Sequence, residues 1–311
     1  MNISRKQYKW IFFLLCIIFP LFFYSGPVYD SSRLLDELWN LGHFLYFGLF
    51  ALLFDNYLRA KGYSGFARVC LNIGVLLLFG ITIELIQLGI AGRMFSWLDM
   101  LRDVSGGSVV LCWRMSYSAT RWKIRFLVVL GTGLVLLNLL PIGMVAFDEY
   151  SAYKSFPLLS GFESCFELER WAGDARLSRD DFVAIQGKYS AKIALTTKHY
   201  SGVSLHYFPG DWSGWNRVVF SVYNPGLPLE LHFRVHDNLH TGNNQKYANR
   251  FNGSMLLQNG WNEVSVPLVD ILNGPRGRQM NLTKIRGFGI FVIRQSENRT
   301  IYLDNVYLRE D

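Results

Sequence analysis

Six polar residues stand inside the apolar first half of this 311-residue chain, and their types could do chemistry: His43, Glu84, Gln87, Arg93, Asp99 and Asp103. An imidazole beside a carboxylate can exchange protons as a general acid and base. A guanidinium such as Arg93 can neutralise a phosphate. Glu84 and Gln87 are three residues apart, so a helix places them on one face. Asp99 and Asp103 lie one turn apart. A second set falls in the polar second half. Glu230, His232, Arg234 and His236 alternate with Leu229, Leu231, Phe233 and Val235, which assigns the two sets to opposite faces of a strand. Tyr247 and Arg250 follow, and Trp212 and Trp215 precede. Aromatic faces beside planar hydrogen-bonding groups suit sugar rings and their hydroxyls. His232, His236 and His240 are also close enough in sequence to suggest a metal. The fixed charge of Arg234 opposes a cation there.

The elements that must position these groups differ between the halves. Residues 1–147 carry thirteen Lys and Arg against seven Asp and Glu, whereas the remainder is nearly balanced. Apolar runs over about 8–24, 38–58, 69–91, 96–113 and 126–147 predict five membrane spans. Phe23 and Tyr24 stand where signal cleavage would need small residues, which predicts a retained first helix. The run 96–113 is polar at its start, but the loop charges require a crossing there. Residues 59–68 carry Arg59, Lys61 and Arg68, and residues 114–125 carry Arg114, Arg121, Lys123 and Arg125, with no acid in either. Both loops, and the N-terminus, are therefore expected on the cytoplasmic side, with the C-terminal half outside. At ~1.5 Å per residue, His43 and Glu84 fall on the order of 10 Å below the outer boundary. Intramembrane ionisable groups are costly and usually pair, so one polar cluster is expected, either stapling helices or acting on a ligand.

Residues 148–160 read as a linker. From Gly161 onward, short alternating segments such as 217–223, 229–236, 261–267, 285–293 and 300–308 are separated by turn signals, including Asn224-Pro225-Gly226 and Asn259-Gly260. Nine or ten strands predict an antiparallel jelly-roll sandwich over 161–311. The expected fold class is thus an all-α bundle of five spans followed by an all-β sandwich. The basic excess sits in short loops between apolar runs, which argues against a nucleic-acid partner.

Gly42-His43-Phe44, Ile83-Glu84-Leu85-Ile86-Gln87, Gly92-Arg93-Met94-Phe95-Ser96, Asp99 and Gly106-Gly107 together resemble the VanZ-like membrane family over about residues 38–113. That family is named for a glycopeptide (teicoplanin) resistance protein, so the resemblance implies an envelope protein and a link to antibiotic resistance. Asp103 departs from the pattern, which usually has Asn there. In the second half, Gly161-Phe162-Glu163, Asp211-Trp212-Ser213-Gly214-Trp215, Gly260-Trp261-Asn262 and Tyr302-Leu303-Asp304-Asn305-Val306 resemble galactose-binding-like jelly rolls of carbohydrate-binding modules. This resemblance implies a structural calcium between first and last strands, with Glu163 and Asp304 at the acidic positions; a hydrogen bond from backbone to Asp304 is the alternative.

Nucleophile elbows, phosphate loops and HExxH motifs are absent from the sequence. The expected function is a multi-pass plasma-membrane protein whose extracytoplasmic module binds an envelope glycan, glycolipid or exopolysaccharide through His232, Arg234, His236, Tyr247, Arg250, Trp212 and Trp215. The alternative is an intramembrane enzyme acting on a lipid-linked envelope intermediate through His43, Glu84, Arg93 and Asp99.

Overall fold

The computed structural model describes residues 4–24, 32–90, 95–117, 119–242 and 246–311. Arg93 lies outside them. The chain folds as two compact units, Met1–Met144 and Val145–Asp311.

The first unit is helical. Helix α1 (Arg5–Ile18) starts in a capping box in which the Ser4 hydroxyl accepts from Gln7 N and the Gln7 side chain accepts from Ser4 N. Its apolar run continues as a 3-10 turn, Phe19–Phe23, where Pro20 supplies no N–H for an α-helical bond. Then come α2 (Arg33–Ala60), α3 (Gly65–Gln87), α4 (Trp97–Ser116) and α5 (Arg121–Ser155). Among the described residues, four stretches are long and apolar enough to cross a membrane: Arg5–Phe23, Arg33–Ala60, Gly65–Gln87 and Arg121–Ser155.

The run 96–113, expected as a further span, does form a helix, but its hydropathy leaves it out of that set. The reason lies in how α4 is turned. Asp99, Asp103, Ser105 and Arg114 are buried, while Trp97, Leu98 and Leu101 are each more than 60% exposed. Polar groups face the neighbouring helices, and apolar groups face outward. Gly48 and Gly106 let α2 and α4 approach closely; a Cβ on Gly106 would collide with the Phe44 carbonyl.

The second unit is a sandwich of two antiparallel sheets. Its strands are β1 (Leu158–Ser160), β2 (Trp171–Gly173), β3 (Arg176–Asp180), β4 (Ser190–Leu195), β5 (Tyr200–Leu205), β6 (Arg217–Asn224), β7 (Leu229–Asp237), β8 (Phe251–Leu257), β9 (Gly260–Pro267), β10 (Ile285–Ile293) and β11 (Arg299–Arg309). One sheet runs β3-β4-β11-β6-β9, with β1 also paired to β11; the other runs β2-β5-β10-β7-β8. Leu231, Phe233, Phe288 and Ile290 from the second sheet meet Phe220, Ile301 and Leu303 from the first in one core. Turn chemistry sets the hairpins. Asn224 Oδ1 accepts from Gly226 N at 3.1 Å between β6 and β7. Gly260 takes φ of 91° at the β8–β9 turn, a conformation that favours glycine.

Residues 148–160 are not the linker expected from composition. Helix α5 continues to Ser155, and Leu158–Ser160 pairs with β11. Asp148, on the last turns of that helix, is buried in a two-pronged pair with Arg170, whose Nη2 lies 2.7 Å from Asp148 Oδ1. Arg170 also donates to the Asp148 and Leu159 carbonyls. The polar residues that made this stretch look like a linker serve to fix it to the sandwich.

Candidate functional site

In the helical unit, His43 Nδ1 lies 2.9 Å from Asp103 Oδ1, both side chains being buried. Asp103 rests against Gly80 of α3, where a Cβ would come within 2.8 Å of its Oδ2. Glu84 Oε2 accepts from Ser96 N at 2.8 Å, and Gln87 Nε2 donates to the Phe22 carbonyl at 2.7 Å. Asp99 joins Arg102, which also reaches Glu37. Five of the six expected cluster residues therefore gather at one end of the bundle, each held by protein groups. An apolar cleft of about 550 Å³ opens between α1, α2 and α3, lined by residues such as Phe12, Tyr46, Phe50 and Phe79, and none of the five lines it.

A second buried charge group was not anticipated. Asp55 is wholly buried and meets Arg59 and Arg114 through Oδ2, at 3.0 and 2.9 Å, and Arg68 through Oδ1 at 3.0 Å. The Arg68 contact is an ion pair without hydrogen-bond alignment. Three arginines read from sequence as topology signals thus converge on one carboxylate that ties α2, α3 and α4 together.

In the sandwich, the sheet β2-β5-β10-β7-β8 turns its outer face to solvent. The strand alternation holds: Leu229, Leu231, Phe233 and Val235 are buried in the core, and Glu230, His232, Arg234 and His236 take the other face. Two alternate positions of the neighbouring β10 are glycine. Gly289 pairs with Arg234 on one side and Ser204 on the other, and Gly287 pairs with His236. A Cβ on Gly289 would press on Ser204 Oγ and Arg234 Nε, and one on Gly287 on the His236 ring. The glycines leave a strip of the central strand without Cβ atoms, a trough occupied by the His236 ring and by the Ser204 and Arg234 side chains. Arg234 lies across it and donates from Nη2 to Ser204 Oγ at 3.2 Å.

Aromatic rings flank the trough. His232 stacks on Phe291 at 5.5 Å and 23°, and Tyr200 meets Phe291 edge-on at 6.0 Å. Arg250 lies 5.4 Å from the centre of the Tyr247 ring and donates to Asn252 Oδ1 at 2.9 Å. Tyr200 is 55% exposed and Tyr247 is 68% exposed. Of the expected residues, His232, Arg234 and His236 share one face of β7, while Tyr247 and Arg250 meet beside β8, where Asn252 pairs with Arg234. Tyr200, Ser204, Phe291 and the two glycines are additions. Tyr-x-Gly-x-Ser on β5 and Gly-x-Gly-x-Phe on β10 carried their signal, as alternate residues on one strand face.

Two residues expected at the site lie elsewhere. Trp212 is wholly buried in the core, and its indole N–H goes to the Pro209 carbonyl. Trp215 packs on the same core and meets Phe156 edge-on at 5.7 Å. The Asp211-Ser213 contact that surrounds them is a turn, with Ser213 N donating to Asp211 Oδ1. The Trp212 ring is unavailable as a sugar platform, and the half-buried Trp215 ring packs on the core.

Burial pushes the His236 imidazole down to about 3, helped by His240, Arg234, His206 and Arg250. Its ring lies 4.8 Å from that of His240. Burial and then Arg234 lower Arg250 as well. Burial alone would raise Asp237, but two bonds from Arg278, at 2.6 and 2.7 Å, and the Asn281 amide outweigh it and hold the carboxyl low.

The two acids considered for calcium are near one another and already engaged. Asp304 accepts from the backbone N–H groups of Ile185, Gln186 and Asn305, and Glu163 Oε1 from those of Lys188 and Tyr189. Burial raises the Asp304 carboxyl, with a contribution from Glu163. Five amide N–H dipoles point at these oxygens, and the four from residues 185–189 anchor that loop.

No family model matches the chain, and no curated protein matches it. Among solved structures, it is similar to a family 11 carbohydrate-binding module from Clostridium thermocellum, in complex with a beta-1,3-1,4-mixed-linked tetrasaccharide. The identity is 18% and the TM-score 0.39, covering 49% of this chain and 94% of that one. A family 30 carbohydrate-binding module of a Clostridium thermocellum cellulase gives 14% and 0.36, covering 46% and 92%. An exo-beta-agarase gives 18% and 0.40, covering 50% of this chain and 25% of that one. Similarity at this level leaves the reading of the sheet face to its own side chains.

Proposed function

We propose that this chain is a membrane-anchored carbohydrate-binding protein, with the sandwich outside the plasma membrane and the helices crossing it. The observation that carries the binding reading is the row of aromatic and guanidinium side chains on the outer face of the five-stranded sheet. Exposed Tyr200 and Tyr247, with Phe291 and His232, flank the guanidinium groups of Arg234 and Arg250. Rings give the apolar face of a sugar something to lie on, and guanidinium forks bond its hydroxyls. The test is a glycan array probed with the full chain in detergent. Tyr200→Ala and Arg234→Ala should each abolish the signal; retention in both moves the site elsewhere.

The membrane reading draws on the outward apolar surface of the helical unit. Helix α5 exposes Val128, Val129, Leu136, Leu137 and Leu140, and α4 turns its charges inward. Water would penalise that arrangement and hydrocarbon favours it. We propose five crossings, counting α4, with the N-terminus cytoplasmic. A reporter fused after Asp311 should be active only outside; cytoplasmic activity refutes the topology.

For the polar cluster, the closed His43–Asp103 contact and the backbone partners of Glu84 and Gln87 favour a stapling role over an intramembrane enzyme. The VanZ-like string over 38–113 extends the proposal to glycopeptide resistance. Deleting the gene should then lower the host's tolerance of teicoplanin, and unchanged tolerance removes that extension.

A further inference from the structure

One end of the helical unit, where α2 leads into α3 and α4 leads into α5, holds more positive charge than its acid can neutralise. Residues 56–83 and 104–147, which build this end with the last turns of α2, contain no Asp or Glu, and neither do residues 1–29. Asp55 is therefore the acid that its arginines share. Arg114 Nε donates to Asp55 Oδ2 at 2.9 Å with only 2% of its side chain exposed, a matched pair in the interior. Arg59 of α2 and Arg68 of α3 reach the same carboxylate at 3.0 Å each, through Oδ2 and Oδ1. Their side chains are 31% and 14% exposed, so the excess charge lies at the rim of the cluster. The Arg68 Nε–H is buried and finds no acceptor. One carboxylate cannot neutralise three guanidiniums, and like charges held side by side cost the free protein repulsion.

Aromatic side chains mark the depth of this rim. Tyr63 and Phe66 stand at the α2–α3 turn, and Tyr117 and Trp122 stand between α4 and α5, all four exposed. Tyr and Trp gather where hydrocarbon meets headgroups, which sets Arg59 and Arg68 at the level of lipid phosphates. We infer that Arg59 and Arg68 hold the phosphate of an anionic phospholipid from the cytoplasmic leaflet. The inference rests on the membrane placement proposed above and extends it. Basic pockets between spans on the cytoplasmic side suit such headgroups. A phosphate diester offers two oxygens that share its charge, which matches guanidinium forks from two helices. A zwitterionic phospholipid carries the same phosphate but brings its own cation, which leaves the excess in place.

The experiment reconstitutes the full chain in vesicles of phosphatidylcholine, with and without phosphatidylglycerol. Vesicle flotation shows insertion, and native mass spectrometry in mild detergent counts the lipids that stay bound. Phosphatidylglycerol should be enriched about tenfold over phosphatidylcholine, the size expected of two guanidiniums near the surface. The preference should shrink at high salt. It should be lost in the double variant Arg59→Gln, Arg68→Gln, which leaves the Asp55–Arg114 pair matched. Arg59→Lys with Arg68→Lys keeps both charges and should keep most of the preference, which separates charge from folding. Arg121→Gln, a cation outside the cluster, should leave the preference unchanged. Equal enrichment of the two lipids, or a preference that survives the Gln double variant, overturns the inference. An equal loss in Arg121→Gln also overturns it, by assigning the preference to overall charge. Inorganic phosphate that raises the melting temperature as much as phosphatidylglycerol does overturns the lipid assignment. A chain that floats with neither kind of vesicle overturns the membrane placement as well, whereas one that floats with both and shows no preference overturns this inference alone.

Discussion

Acidification should destabilise the sandwich through His236, and the size of the effect follows from its surroundings. The ring is 7% exposed and sits against Gly287 and His240, with Arg234, Arg250 and His206 acting on it. Its folded value is depressed to about 3 from an ordinary 6.5. The sign follows: above pH 6.5 the imidazole is neutral in both states and the contribution is intact. As pH falls below 6.5, the unfolded chain takes up a proton that the folded one refuses, so stability is lost progressively down to about pH 3. At pH 5 the loss from this one group is about 2 kcal/mol, since each pH unit in that window costs ~1.4 kcal/mol. His206 and His240 are lowered as well, and add in the same direction. The Asp304 carboxyl, which is raised, acts with the opposite sign, so it cannot produce the loss. The assay is urea unfolding of the full chain in detergent between pH 7.5 and 4.5, followed by tryptophan fluorescence. His236→Gln should flatten the slope of stability against pH by about one proton. An unchanged slope in that variant would refute the argument, because no buried neutral imidazole at 236 would then be contributing.

Further outcomes follow from the same contacts. Arg170→Met leaves Asp148 buried without its ion partner and should destabilise the sandwich by about 3–5 kcal/mol in the same urea assay. Gly289→Ala should weaken glycan binding about tenfold by pushing Arg234 from the trough, with little change in the melting temperature; equal weakening and unfolding would show the glycine to be structural only. His43→Ala should lower thermal stability in detergent far more than Asp103→Asn, because an amide can still bond the imidazole whereas the first change strands a buried carboxylate. The melting temperature should be the same in calcium and in EDTA if the 185–189 amides satisfy Glu163 and Asp304, and a rise in calcium would assign a cation to them.

The strands of the sandwich were legible because their faces differ in kind. Leu229 to His236 alternates so cleanly that its core face and its open face could be named from sequence, and the trough residues of β7 followed. The other side of the trough was harder, since Gly287 and Gly289 have no side chain to announce a function; they matter through what they leave room for. Trp212 misled because aromatic type does not encode direction: the same indole serves as a platform or as a plug, and the turn at Asp211 drives it inward. Residues 148–160 misled for a related reason. Asp148 is a linker residue by composition and becomes a buried anchor only because Arg170, 22 positions on, reaches it.

The helical half reverses the usual inference, and α4 is the element that decides how it should be read. Averaged hydropathy passes over a helix whose charges are paired: Asp103 and Arg114 find partners on α2, and Asp99 pairs within α4 with Arg102, which reaches Glu37. Those partnerships are closed: the His43–Asp103 contact is buried, Asp55 collects three guanidiniums, and the apolar cleft between α1, α2 and α3 touches neither group. Binding chemistry needs groups that remain available. On the sheet face, Tyr200 and Tyr247 stay exposed beside the half-buried side chains of Arg234 and Arg250. The same residue types, Arg, His and acid, thus lie in closed pairs in one half and on a partly open sheet face in the other, and exposure rather than sequence motif separates the two settings.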